Sequence, residues 1–230
     1  MGIGEILHVL TTIETVGNHR ATGMAFKFYE EVLFPWGMDR LMSKPHLTEI
    51  RKRVLSRARG RVLEIGLGTG LNLPHYPDSV RQITTIDSNP GMRKRVAKRI
   101  EASGMDIDFQ VLNGETLPFD DESFDTVTCT WTLCSIVGVG KALGQMRRVL
   151  KPGGEFLFVE HGLSDEPKIQ KWQRRLNGLQ MAFACGCRLD RNMRELVGAA
   201  DFEMIELKEY YTEKDPKTHG YMYEGVARKA

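Results

Sequence analysis

Three short stretches hold the residue types and spacings from which chemistry could be built. In the first, Val62, Leu63, Glu64 and Ile65 run into Gly66, Leu67, Gly68, Thr69 and Gly70. A β-branched apolar run ending in alternate glycines predicts a buried strand that turns sharply into a loop and then a helix. Glycine has no Cβ, so the loop's backbone N–H groups can approach a ligand that a side chain would block. A dinucleotide loop needs a small residue three positions after the second glycine, and Leu71 stands there, so the pattern is Gly-x-Gly-x-Gly with an acid two residues ahead. In the second stretch, residues 82–86 form another β-branched run closed by Asp87, Ser88, Asn89 and Pro90. An acid at that distance past a glycine loop can accept hydrogen bonds from both hydroxyls of a ribose. Ser88 or Asn89 can cap the next helix, which leaves Asp87 free for the ligand. The third is Glu160-His161-Gly162 after the apolar run 155–159. A histidine just past a strand end is the general-base candidate, with loop orientation as the structural alternative.

These residues need a scaffold that brings strand ends together. From residue 61 onward strands and helices alternate, which predicts a parallel sheet covered on both faces. Strands are expected near residues 61–65, 82–86, 107–112, 124–129 and 155–159, with a closing pair near 202–210 and 220–227. Helices are expected over 91–102, 141–150, 167–184 and 193–200. Lys151, Pro152, Gly153 and Gly154 read as a helix stop. Ahead of the sheet, Ile3, Ile6, Leu7 and Leu10 predict an amphipathic helix broken near Gly17. A second helix is expected over 21–34, stopping at Pro35, and a third from Pro45 to a stop at Gly60. Residues 1–60 therefore read as a helical segment ahead of a domain of residues 61–230, in which His19 and Tyr29 are the candidates to face a cavity should the segment close over the sheet.

Composition narrows the function classes. With 32 Lys and Arg against 30 Asp and Glu, the formal charge of +2 gives no basic excess of the kind nucleic-acid binders show. The clusters at residues 51–53, 93–99 and 171–175 read as solvated helix faces. Cys129, Cys134, Cys185 and Cys187 lack the paired Cys-x-x-Cys spacing of a zinc motif, so no metal is assigned. A reducing cytoplasm is the expected compartment. The longest apolar runs are too short to cross a bilayer, which leaves at most peripheral membrane contact.

The glycine loop with Glu64 and Asp87, then Asn113 through Phe119, then Lys151 through Gly154, together resemble the class I S-adenosylmethionine (SAM) methyltransferases. The resemblance implies a Rossmann-like doubly wound α/β fold, a mostly parallel seven-stranded sheet with an N-terminal helical lid. It implies SAM as cofactor and S-adenosylhomocysteine as product. The implied cofactor residues are Glu64, Gly66, Leu67, Gly68, Gly70, Asn72, Asp87, Ser88, Met92, Asn113, Gly114, Glu115 and Thr130. Asn113 stands where the family usually has aspartate; its side-chain oxygen can accept the same bond from the adenine amino group. A narrower set comprises residues 129–135, Glu160-His161, Trp172-Gln173 and residues 186–191. It resembles bacterial relatives of the animal methyltransferase-like thiol S-methyltransferases, a group related to quinone and phospholipid methylases. That likeness implies a small-molecule acceptor, most simply a thiol, bound by Tyr29, Trp131, Leu133 and Arg188, with His161 as base. N- or C-methylation of a phospholipid head group or quinone, arsenite capture by Cys134, Cys185 and Cys187, and SAM binding without turnover are the alternatives.

Overall fold

A computed structural model describes residues 28–229. The expected helix near residues 3–10, its break at Gly17, and His19 lie outside them. The described strands form one seven-stranded sheet in the order β3-β2-β1-β4-β5-β7-β6. They are β1 (Val62–Ile65), β2 (Gln82–Asp87), β3 (Asp106–Val111), β4 (Phe124–Thr130), β5 (Leu150–His161), β6 (Phe202–Tyr211) and β7 (Tyr221–Lys229). The first five run parallel to one another, and β7 runs antiparallel to both β5 and β6. This is the doubly wound, Rossmann-like sheet that the alternating pattern predicts.

The helices are α1 (Phe34–Met42), α2 (Pro45–Leu55), α3 (Pro90–Ser103), α4 (Val139–Val149), α5 (Pro167–Phe183) and α6 (Met193–Ala199). All four residues of β1 are buried because helices cover both faces of the sheet. Strand alternation then sorts them. Leu63 and Ile65 pack with Leu143 and Met146 of α4 and Val197 of α6. Val62 faces Leu47, Ile50 and Val54 of α2 on the other side. Glu64 shares the Val62 face, so it points under α2 rather than out of the strand end. Through those same contacts α2 becomes part of the core.

Local sequence explains where the elements depart from expectation. The second helix does not stop at Pro35. A π-helical turn, Tyr29–Leu33, leads directly into α1, and the Phe34 N–H donates to the Tyr29 carbonyl five residues back. Proline lacks an N–H and crowds the carbonyl four residues earlier; placing it at the start of α1, right after a widened turn, removes both conflicts. No α-helix follows the glycine loop. Pro74 and Pro77 interrupt the segment, and only a 3-10 turn, Leu73–His75, forms before β2. Lys151 through Gly154 belong to β5 instead of ending a helix. They enter it across a register shift opposite β4, with Gly153 at φ +70°. Asn89 caps α3 by accepting from Gly91 N–H, and Gly104 ends it at φ +65°.

Candidate functional site

The carboxyl ends of β1, β2, β4 and β5 open onto one cavity of about 1000 Å³, walled on its far side by the π-turn and α1. It lies where strand order reverses on either side of β1, the crevice in which open α/β sheets bind ligands. Gly66, Leu67, Gly68, Asn72, Asp87, Ser88, Met92 and Thr130 of the expected cofactor set line it, as do Tyr29, Trp131 and His161.

The glycine loop is held from below. Gly66 and Gly68 take φ of +80° and +57°; a Cβ on Gly66 would fall 2.2 Å from the Thr132 hydroxyl, whereas one on Gly68 would enter open space. Asp87 accepts from the Gly68 N–H at 2.8 Å and from the Asn89 N–H at 2.8 Å. Burial raises its pKa and these two donors oppose the rise. Each carboxylate oxygen keeps a free lone pair for a ligand hydroxyl.

Glu64 does not reach the cavity and is fully buried. It accepts from Asn72 Nδ2 at 2.6 Å and from the Tyr76 hydroxyl at 3.1 Å, and Asn72 Nδ2 also donates to Thr130 Oγ1 at 2.9 Å. Burial pushes the Glu64 carboxyl up to about 7 against those donors. Its part is to fix Asn72, whose amide nitrogen is thereby committed. Asn72 Oδ1 is left buried without a partner in the cavity wall.

Glu160 does the same for the β4 exit. Its carboxylate accepts from the N–H groups of Thr132 at 2.6 Å and Leu133 at 2.8 Å. These bonds hold Trp131 at φ +49°, a conformation a bulky side chain does not adopt unaided. The Trp131 ring then lies beneath the Arg51 guanidinium, 4.7 Å from its centroid. Arg51 is 4 % exposed, so the basic triplet at 51–53 is not wholly a solvated face. Burial lowers its pKa to about 10, still cationic at neutral pH, and it lines the cavity. Arg51 carries no motif signal; the faint sequence cue is its place one turn after Leu47, on the apolar side of α2.

Other expected residues stand away from the cavity wall. Gly70 (φ +81°) serves packing, because a Cβ there would meet Val96 at 2.6 Å. Asn113 is exposed past β3, Gly114 is buried near Ile136 and Ile65, and Glu115 accepts from the Gly138 N–H at 3.0 Å. Leu133 is fully buried in the core, and the Arg188 side chain pairs with Asp190 at 3.1 Å. Glu64, Gly70, Leu133 and Arg188, expected at the site, are each turned away from the cavity wall by packing or by a partner.

The π-turn and α1, which precede the sheet, dock along one side of the cavity. Asn89 Nδ2 donates to the Glu30 carbonyl at 2.9 Å, and Arg99 pairs with Asp39 at 2.6 Å. Gly91 sits so close that a Cβ would lie 2.3 Å from the Glu31 carbonyl oxygen. On the other side the Tyr29 hydroxyl donates to the carbonyl of Phe183, the last residue of α5. The segment thus spans from the Asp87 side of the cavity to its opposite rim.

At that rim the wall is sulfur-rich. His161 Nε2 lies 3.1 Å from Cys187 Sγ, and Cys187 Sγ lies 3.6 Å from Cys134 Sγ. The neighbouring Cys134 and His161 hold the Cys187 thiol well below its ordinary range despite burial. Burial alone would lower His161, and the Cys187 sulfur more than reverses that. An imidazole whose Nε2 is engaged by a neighbouring sulfur is a poor free base.

A family profile described as "Methyltransferase domain" matches residues 63–158. Thiol S-methyltransferase TMT1B of Rattus norvegicus is 34 % identical over 64 % of the chain and 62 % of its own length. The human protein of that name is 32 % identical over 190 residues, 80 % of the chain and 77 % of its own length. The chain belongs to the class I SAM-dependent methyltransferases. The chain spans about 62 % of the length of the thiol S-methyltransferases TMT1B of Rattus norvegicus and TMT1A of Homo sapiens. A phosphatidylethanolamine N-methyltransferase of Cereibacter sphaeroides is 33 % identical over 51 % of the chain and 58 % of its own length. In fold, the chain matches N-methyltransferase NodS of Bradyrhizobium japonicum, solved with S-adenosylhomocysteine, at a TM-score of 0.63 and 17 % identity, over 89 % and 96 % of the two chains. Among the described residues no helix is long and apolar enough to cross a membrane.

The cavity wall fits this family's cofactor. The open Gly68 backbone and the remaining lone pairs of Asp87 suit the ribose. The unpartnered Asn72 oxygen suits an ammonium, and Arg51 a carboxylate.

Proposed function

We propose that the protein transfers the SAM methyl group to the sulfur of a small apolar thiol. Bound SAM supplies a sulfonium methyl open to in-line attack by the acceptor's sulfur, leaving S-adenosylhomocysteine and a methyl thioether. Asp87 and Gly68 would hold the ribose, Asn72 and Arg51 the amino-acid end, and Trp131, Trp36, Phe183 and Met222 would shape the acceptor side. His161 acts there through Cys187 and not as a free base.

The observation that carries the thiol reading is the engaged state of the titratable groups facing the cavity. Asp87 is tied to two backbone donors and Asp215 to Lys44 and His46. His161 is tied to Cys187, and His219 to Gln180 and Thr218. An acceptor that must lose a tightly held proton would find no ready base. A thiol titrates near pH 8.5 and supplies a thiolate fraction by itself. The relatives named as thiol S-methyltransferases support the same acceptor class.

The test is S-adenosylhomocysteine release with small alkyl thiols, compared with amine lipids and a quinone precursor. Saturable product with thiols, absent in Asp87→Ala, is expected. Product only with amine lipids or the quinone precursor would replace the proposal with N- or C-methylation.

A further inference from the structure

Three soft ligands from separate parts of the chain meet at the acceptor side of the cavity. Cys134 comes from the loop after β4, His161 from the end of β5, and Cys187 from the loop after α5. One ligand atom of each lies within 4.8 Å of the others, and all three residues line the cavity. Two sulfurs bound to one tetrahedral zinc ion at about 2.3 Å stand about 3.8 Å apart. Cys134 and Cys187 already stand 3.6 Å apart and His161 Nε2 is 3.1 Å from Cys187, each within about half an ångström of the separation a shared zinc ion sets, and the Cys134–His161 pair, within 4.8 Å, closes the rest of the way by side-chain rotation.

The surroundings fix this arrangement. The Arg188 N–H donates to the Cys134 carbonyl at 3.0 Å, tying the two cysteine loops together. Gln180 Nε2 donates to Cys187 Sγ at 3.5 Å, and the Cys134 N–H reaches Glu160 at 3.4 Å. His161 is 9 % exposed, its Nε2 meets only a sulfur, and its Nδ1 is buried without a partner. Hydrogen bonding within the fold does not account for such a ring. Structural zinc sites close with four protein ligands, whereas three ligands with an open position mark a site that takes a substrate.

We propose that Cys134, His161 and Cys187 bind a zinc ion whose fourth position opens into the cavity and takes the acceptor sulfur. The acceptor's role rests on the thiol reading above; the ion site does not. On coordination the acceptor's S–H proton leaves to solvent and a sulfur–zinc bond forms, so the ion does the work for which the cavity has no free base.

Cobalt titration of the full chain, reduced and freed of metal by a chelator, tests this. Expected are a sulfur-to-cobalt charge-transfer band saturating at one equivalent, its loss when zinc is added, and a shift of the cobalt bands when a small alkyl thiol is added. The unmutated protein thus reports thiolate ligation even where a variant misfolds. Cys134→Ser and Cys187→Ser should each weaken zinc binding by more than the roughly 10- to 100-fold typical of removing an outer-shell partner. Cys185→Ser should keep the band, and S-adenosylhomocysteine calorimetry checks that each variant is folded. No saturable band, a band that survives in both serine variants, or a spectrum blind to the thiol overturns the proposal. S-methylation that persists in chelated protein without a band removes the ion and leaves the thiol reading. A band in a protein that methylates only amines removes the thiol reading and leaves the ion site.

Discussion

At the scale of single residues, the site works by committing polar atoms. Asp87 is the clearest case: one side chain braces Gly68 and still offers lone pairs to a ribose. Asp87→Ala loses both, and charged hydrogen bonds contribute about 1.5–3 kcal/mol each, so S-adenosylhomocysteine affinity should fall on the order of 100-fold by calorimetry. Glu64 gives a different readout because it is buried under the loop. Its folded-state pKa of about 7 lies above the ordinary carboxylate value, so the folded chain binds its proton more readily than the unfolded one. The resulting stabilisation is fully present below about pH 4 and is lost as pH rises through 7. Glu64→Gln keeps an acceptor for Asn72 but cannot ionise. The stability difference between wild type and Glu64→Gln should therefore move against wild type by on the order of 3 kcal/mol between pH 4 and 8. Parallel urea-unfolding curves for the two proteins across that range would refute this. The position of Asp87 at the cavity was legible in sequence because its spacing from a glycine loop is local. Arg51 was not, because its burial depends on where α2 settles against β1.

At the scale of elements, function rests on how the π-turn and α1 dock on the sheet. Gly91 allows the approach, since a Cβ there would meet backbone atoms of Glu31 that have no rotamer to change. Gly91→Ala should displace the segment, speed its cleavage in limited proteolysis and raise KM for SAM several-fold. Gly144→Ala is the control. Nothing lies within 4 Å of its new Cβ, and within α4 the change should stabilise by about 0.5–1 kcal/mol in chemical unfolding. Equal protease sensitivity of wild type and Gly91→Ala would mean that this contact does not hold the segment. The sequence marked Pro35 as a stop, a sound inference from the missing N–H, yet a π-turn just upstream lets the helical path continue into α1. Likewise α5 has a polar sequence, and its buried residues are Gln173 and Asn177. Gln173 bonds the Ser164 N–H and the carbonyls of Gly162 and Thr218, so the helix is held by amides and not by an apolar stripe.

At the scale of the whole molecule, ligand and fold are linked. A ligand that binds only the folded chain stabilises it by about 2.7 kcal/mol at a hundred times its Kd. For a chain of this size that corresponds to a rise in Tm of roughly 5–10 °C. S-Adenosylhomocysteine should produce such a shift in wild type and little at the same concentration in Asp87→Ala; equal shifts would place the ligand elsewhere. By itself the sequence determined the alternation of strands and helices, the glycine loop, the acid at the end of β2 and the histidine at the end of β5. Each of these is written in neighbouring residues and in the periods of 2 and 3.6. Only the tertiary structure decided which of the expected residues face the cavity, that Glu64 and Glu160 act as buried braces, and that Cys134, His161 and Cys187 converge. The physical reason is that those outcomes depend on packing between segments separated by tens of residues, and no local pattern encodes the distance between them.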